Sequence, residues 1–407
     1  MKILMVAYYY PPRGGGGVQR TVKFAKYLPN FGVEPIVLTA ASDKSKLWDE
    51  SFSADLAHHI ERIPAQEPGG ITARLAELFS FPDVYKNWIE PATKRAIEIA
   101  QKEKFDAVFS TASPYSSHVV GLQVSKQLGI PWVADFRDLW TTNAMYVART
   151  PWQRPIHRRY ERQFYERATH VLTASPSQRC CLLEQFNLPA DKVTTITNGF
   201  DPADVSDMHN NIDKKIQGPI RITYLGSFYA SYRPDDFVQA LKLLLAAMPD
   251  LPQRLHFTFV GDHSRVAKDL LGQPVLQKVI TLRDYVPHGE LNNIHTNSDA
   301  YLCYLPDNGG WIGASIPQKL YEYLAAHKPI LGIMPPSDAT DILKRVQGGL
   351  VLPAGDIPAI AAGLIEFEKG VRSGNILSTR FDLTEFTRRT LAKKLADTLK
   401  KVVKVKQ

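Results

Sequence analysis

Short, unbroken apolar runs alternate with stretches of helical period along almost the whole chain, and this alternation restricts the fold more than any other feature. Residues 2–7 are the first such run. A strand apolar on both faces belongs inside a parallel sheet, where helices cover it on either side. Residues 34–39, 105–110, 131–135, 171–174 and 193–196 repeat the signature. Helical patterns fall between them at about 18–30, 72–81, 88–103, 116–128, 155–168 and through 186, with Ser177 as the cap of the last. Residues 42–68 read as polar and irregular. From 201 to 218 the chain is polar without apolar periodicity, as in an interdomain linker. The pattern then restarts, with strands at 220–225, 255–260, 279–282, 300–304 and 350–352 and helices near 234–248, 290–298 and 357–370. A terminal helix runs from 383 into a lysine-rich end. Two parallel α/β sheets follow from this order. The expected domains are 1–200, a linker at 201–218, a second domain at 219–382, and a basic C-terminal helix at 383–407.

Composition narrows the function. There is no run of eighteen apolar residues to span a bilayer. The opening MKILMVAYYYPP reads as a strand ended by prolines, not as a secretory signal. Cys180, Cys181 and Cys303 lack metal-ligand or disulfide spacing, which suits a reducing cytosol. The net charge of +8 arrives without zinc spacing or an RNP-type aromatic strand, so nucleic acid is not the expected partner. The basic residues gather in three helical stretches instead: Lys86 with Lys94, Arg95, Lys102 and Lys104; Arg154 with Arg158, Arg159, Arg162 and Arg167; and the tail at 393–406. Such stretches suit an anionic membrane surface, and equally a merely solvated face.

Three motifs carry chemistry. In 309–332, GGWIGASIPQKLYEYLAAHKPILG, a small-residue loop (Gly313, Ala314, Ser315) precedes a helix opened by Pro317. Leu320, Tyr323 and Leu324 mark its buried face, and Lys319 and Glu322 sit on neighbouring turns. Free N–H groups and the helix dipole attract an anion there, and Lys319 adds a full charge. Glu322 is placed to accept hydrogen bonds from vicinal hydroxyls, as on a ribose. An ordinary amphipathic helix with a solvated Lys/Glu pair shares this pattern. Near the N-terminus, Arg13 and the glycines Gly14, Gly15, Gly16 and Gly17 lie between the first strand and its helix, where bare backbone can approach a ligand. The dinucleotide fingerprint and its acidic partner are missing, which argues against a dehydrogenase. Lastly, DFRDLW leaves Asp135, Arg137 and Asp138 at the carboxyl end of a strand, where α/β proteins place their chemistry. A local ion pair between Arg137 and an aspartate fits the same residues. His118 lies within a helix and is a weaker candidate.

Together YYYPPRGGGGVQR, ITNGFD, YLGSFYASYRP, FVGD and PQKLYEYLAAHKPIL resemble the family 4 retaining glycosyltransferases of GT-B fold, over nearly the whole chain. The resemblance implies an α/β architecture of two Rossmann-like, doubly wound parallel-sheet domains facing a central cleft, with the C-terminal helix crossing back to the first domain. It implies that Glu322 holds the nucleotide ribose, and that Arg233 and Lys319 neutralise the diphosphate. Gly16 and Gly17 approach the phosphates, with Gly14, Gly15 and Arg137 on the acceptor side. Gly226, Ser227 and Gly261 form second-domain strand exits at the donor. Gly313, Ala314 and Ser315 meet the donor sugar and β-phosphate, and Tyr285, Val286 and Pro287 recognise the base. Ala314 stands where the family often has a second glutamate, and Ser227 where it often has an arginine. Arg137-Asp138 replaces a common histidine, as in a subset that assembles surface polysaccharide.

The expected reaction moves a sugar from a nucleotide-sugar donor, UDP-linked, to a saccharide or lipid-diphosphate-linked acceptor. Fixed cations and N–H donors at the leaving diphosphate stabilise its developing charge. With no Asp-x-Asp in the chain, no metal site or other cofactor is expected. Asp138 positions the acceptor while the leaving phosphate takes its proton. The expected location is the cytosol, peripheral on the inner membrane face. Two alternatives compete: a sugar-nucleotide epimerase of related fold, which needs no acceptor, and a non-catalytic nucleotide-sugar-binding scaffold.

Overall fold

The computed structural model describes residues 1–14, 16–41, 49, 52, 55–65, 77–143, 146–205, 216–229, 232–286, 291–307, 315–376 and 382–406. The chain divides into two compact units, 1–199 with 386–407, and 200–385.

In the first unit β1 (Lys2–Val6), β2 (Glu34–Ala40), β3 (His59–Ile63), β4 (Ala107–Ala112), β5 (Trp132–Phe136), β6 (His170–Thr173) and β7 (Val193–Thr195) form one sheet in the order β3-β2-β1-β4-β5-β6-β7. Every pairing is parallel. The connections carry α1 (Gly16–Tyr27), α2 (Ile89–Ala100), α3 (Ser116–Leu128), α4 (Gln153–Arg167) and α5 (Pro176–Phe186). Because side chains alternate across a strand, β1 feeds two cores. Leu4 and Val6 pack with Leu38, Val108 and Trp132 on one face. Ile3 and Met5 pack with Val37 and Phe109 on the other.

The second unit opens with the short α6 (Pro202–Val205) and contains β8 (Ile220–Leu225), β9 (Leu255–Val260), β10 (Ile280–Arg283), β11 (Ala300–Tyr304), β12 (Ile330–Ile333) and β13 (Gly349–Leu352). Their order is β10-β9-β8-β11-β12-β13, again all parallel. Its helices are α7 (Asp235–Ala247), α8 (Leu251–Arg254), α9 (Arg265–Leu271), α10 (Leu291–Asn297), α11 (Gln318–Ala325), α12 (Asp338–Val346) and α13 (Ile357–Ser373). The last helix, α14 (Arg388–Lys406), belongs to the first unit, where Leu391, Leu395, Leu399 and Val402 join Val18 and Val22 of α1 in the second of that unit's cores.

The alternation of elements is as the sequence predicts, with these local details. Residues expected to be irregular include β3, an edge strand beside β2. The helix expected at 72–81 lies largely outside the described residues; 77–79 are helical. The helix cap is Ser175, whose hydroxyl accepts from the Gln178 N–H with Pro176 in the first turn, and not Ser177. Gly16 and Gly17 are the first turn of α1 and not loop. The stretch expected to be the interdomain linker includes α6, whose Ala203 N–H donates to Asp201 Oδ1 at 3.2 Å.

Candidate functional site

Both sheets reverse their strand order beside the unit's first strand, between β1 and β4 and between β8 and β11. Doubly wound sheets bind ligands beyond the carboxyl ends of such strands.

In the second unit β8 runs out into Gly226 and β9 into Gly261, with φ of 133° and 154°. A Cβ on Gly261 would meet the Gly226 carbonyl oxygen at 2.4 Å, and one on Gly226 would meet Lys319 Nζ at 2.9 Å. Only glycine satisfies both the backbone angle and the crowding. Lys319, in the first turn of α11, lays its amine 3.4 Å from the centre of the Tyr224 ring. That ring is itself stacked on Phe228, with centroids 4.4 Å apart. Burial pushes the Lys319 ammonium down to about 7, while Cys303 and Glu322 act in the opposite direction. The Cys303 thiol, at the end of β11, is pushed up to about 11 by burial. The cation therefore sits at the strand reversal, held by a ring face and underpaired with negative charge, an environment that an arriving anion improves.

The α11 helix is fixed to this strand end from its apolar side. Leu320, Tyr323 and Leu324 are buried as their spacing predicts. The Tyr323 hydroxyl accepts from the Leu225 N–H at 2.7 Å, and its ring stacks on Tyr301 at 4.2 Å. Glu322 stays half-exposed, and the Gln318 amide approaches its Oε1 at 3.4 Å. Ser315 is exposed just ahead of the helix, and Ser227 is half-exposed after Gly226. Tyr285 and Val286 follow β10, Tyr285 exposed. Arg233 has a different partner. Its Nε donates to Asp235 at 3.0 Å, both side chains facing solvent. Pro287, Gly313 and Ala314 lie outside the described residues, as does Gly15.

In the first unit Arg137 follows β5 and donates to backbone alone among its hydrogen bonds here. Nε reaches Ala112 O at 2.8 Å, Nη2 reaches Ser113 O at 2.7 Å, and Nη1 binds Gly17 O. A Cβ on Gly17 would fall 2.3 Å from Nη1, so the close approach requires glycine. The guanidinium thus ties the end of β4 to the first turn of α1, next to Gly14 and Gly16. The ion pair expected between Arg137 and a neighbouring aspartate is not what forms. Asp135 is fully buried and pairs with Arg20 of α1 at 2.8 and 3.1 Å, and accepts from Thr111 at 2.9 Å. Arg20 also donates to Thr197 O at 2.8 Å. Asp138 keeps an exposed edge, yet burial around its carboxyl raises its pKa, with Arg137 pulling the other way. His118 belongs to the core, its Nδ1 bonded to Ser110 at 2.8 Å and burial pushing its pKa down to about 3. Sequence reasoning did not single out Arg20 or Tyr224. Arg20 lies off the apolar stripe of its helix, and Tyr224 reads as one more strand residue.

These two doubly wound units are similar in fold to solved GT-B glycosyltransferases. The fold is similar over 99% of the chain, and 98% of the other, to a glycosyltransferase from Rickettsia africae (TM-score 0.68, 16% identity). It is similar over 99% of both chains to sucrose-phosphate synthase from Thermosynechococcus elongatus (TM-score 0.67, 13% identity). HepE from Anabaena, solved in complex with UDP and glucose, is similar over 98% of this chain and 99% of that one (TM-score 0.62, 16% identity). No curated protein matches the sequence. Residues 14–204 match the model of Glycosyltransferase Family 4.

Proposed function

We propose that this enzyme transfers a sugar, with retention of anomeric configuration, from a UDP-linked donor to a saccharide or lipid-diphosphate-linked acceptor in cell-surface polysaccharide assembly. The observation that carries the reading is the Lys319 amine on the Tyr224 ring, close against Gly226 at the exit of β8. Its role is to neutralise the charge that develops on the departing diphosphate, and Arg233 assists once it exchanges Asp235 for phosphate. Glu322 receives the ribose hydroxyls, and Tyr285 and Val286 flank the base. Gly226, Ser227, Gly261 and the 313–315 loop line the phosphates and donor sugar. On the acceptor side Gly14 to Gly17 supply backbone and Asp138 orients the incoming hydroxyl. Arg137 holds that backbone in place and does not contact substrate. The solved HepE complexes with UDP and glucose and with UDP-glucose support the choice of donor class. The lipid-linked acceptor, and work at a membrane face, rest on the basic helices of the first unit.

The test is a melting-temperature screen with UDP-sugars, since a ligand that binds only the folded state raises the midpoint by mass action. UDP release is then followed with and without saccharide acceptors. The reading expects a shift with a UDP-sugar, weakened in Glu322→Ala, and UDP release that depends on acceptor. Release of UDP without transfer to any acceptor, or no shift with any nucleotide sugar, overturns it.

A further inference from the structure

Most large apolar side chains of the first unit are inside it. Among its described residues the exposed ones are Phe79, Val147, Trp152 and Val405. Two of these four, Phe79 and Trp152, meet at the start of α4. Trp152, 47% exposed, occupies the N-cap position and stacks on Phe79, 58% exposed, with ring centres 6.4 Å apart and planes 23° from parallel. The arrangement is held from beneath. Gln153 donates to Glu77 O at 2.5 Å and accepts from the Arg149 N–H at 2.6 Å, and Arg149 pairs with the Glu77 carboxylate at 2.6 Å. Tyr146, next to the exposed Val147, bonds His157 of α4 at 2.8 Å and lies under Arg154. Two exposed rings are thus fixed by a buried glutamine and an ion pair, and are not loose side chains.

Down the helix from Trp152, positions 155, 159, 162 and 166 follow at spacings of three, four, three and four, so all lie on one stripe. Each of them is exposed. Arg159 and Arg162 stand in the middle of this stripe without a carboxylate partner among the described residues. Arg158, off the stripe, turns inward to Glu161 and the Phe186 ring. A rigid aromatic wedge followed by unpaired arginines is complementary to one kind of surface. Indole and phenyl rings partition into the boundary between lipid headgroups and acyl chains. Guanidinium groups meet lipid phosphates. The other two basic stretches of the unit lack the wedge, since α14 offers Val405 alone and no exposed large apolar residue accompanies α2 among the described residues.

We propose that the stripe led by Trp152 and Phe79 and continued by Arg159 and Arg162 is the surface that docks this glycosyltransferase on an anionic phospholipid bilayer. The proposal deepens the lipid-linked-acceptor reading and rests on it.

The experiment is co-sedimentation with phosphatidylcholine vesicles containing about 30% phosphatidylglycerol, against pure phosphatidylcholine, near 0.1 M salt. Two variants are compared with the wild type: Phe79→Ser with Trp152→Ser, and Arg159→Glu with Arg162→Glu. None of these residues belongs to the donor or acceptor groups, and wild-type resistance of the first unit to limited proteolysis shows that each variant folds. Wild-type binding to the anionic vesicles only, lowered roughly tenfold by each pair of substitutions, is the expected result. No wild-type binding, or wild-type-like binding by either variant, overturns the proposal. If the melting shift persists while vesicle binding is absent, the docking surface fails and the glycosyltransferase reading stands.

Discussion

Lys319 combines a charge with an environment that resists it. Its pKa falls from 10.5 in the unfolded chain to about 7 through burial. Between those values the unfolded chain holds one proton more, so this residue makes the fold less stable as pH drops from 10.5 towards 7, and adds no further slope below. Donor binding runs the other way. A UDP-sugar diphosphate keeps constant charge over this range and favours the ammonium, so affinity should be greatest below 7 and decline by up to about tenfold per pH unit above it. Lys319→Arg holds its charge throughout and should abolish that decline. Titration calorimetry from pH 6 to 9 decides the matter; an identical decline in the arginine variant would assign it to another group. Lys319→Ala should also lower kcat by about 10²–10³, the usual loss of one electrostatic contact to a developing anion. A second residue-scale prediction concerns Gly17. Arg137 cannot step aside for a Cβ without losing its bonds to the Ala112 and Ser113 carbonyls. Gly17→Ala alone should therefore cost about 1–3 kcal/mol. In an Arg137→Ala background the same change should be neutral or stabilising, because alanine suits a helix better than glycine. Urea midpoints for the four proteins of the cycle test this, and additive effects would show that the guanidinium is not what excludes the methyl.

Arg20 and Asp135 decide how α1 meets the sheet. The pair is fully enclosed, with Thr111 and Thr197 O completing its hydrogen bonds. Removing one partner strands the other charge, and Arg20→Leu should lower stability by about 3–5 kcal/mol. Arg20→Leu with Asp135→Leu should recover much of that loss. Equal destabilisation of the single and double variants, by denaturant titration, would deny the pair its role in anchoring the helix. Nothing in the sequence announces this contact, since Arg20 and Asp135 are 115 positions apart. What the sequence does disclose is what depends on neighbours along the chain. The central strands are apolar on both faces, and α11 shows its buried stripe through Leu320, Tyr323 and Leu324. β3 escapes because its sequence, HIERI, is that of an edge. His59 and Glu61 face outward and pair with each other, and Arg95 of α2 adds a second contact to Glu61. Gly16 and Gly17 read as loop because glycine usually breaks helices, yet the first turn of α1 is held by a guanidinium distant in sequence. The Lys319–Glu322 spacing was legible for the same local reason, whereas the ring beneath Lys319 required the tertiary fold.

The whole molecule is two units, and the first is assembled from both ends of the chain. Leu391, Leu395, Leu399 and Val402 of α14 are buried against α1 in a core shared with β1 and β2. At about 1.5–3 kcal/mol for each buried aliphatic side chain, their removal subtracts an amount comparable to the whole stability of a typical domain, about 5–15 kcal/mol. Ending the chain after Glu385 should therefore unfold or greatly soften the first unit. The second unit keeps its six strands and its own core, including the Lys319 cluster. The truncated protein should then retain a UDP-sugar-dependent melting transition while its remaining first-unit segment becomes rapidly digested by protease. Transfer should be lost, because Gly14 to Gly17 and Asp138 reside in the damaged unit. A truncated chain that resists proteolysis like the intact one would mean that α14 is dispensable to the core it enters. One that loses the UDP-sugar shift together with the first unit would mean that the donor groups do not reside in the second unit alone.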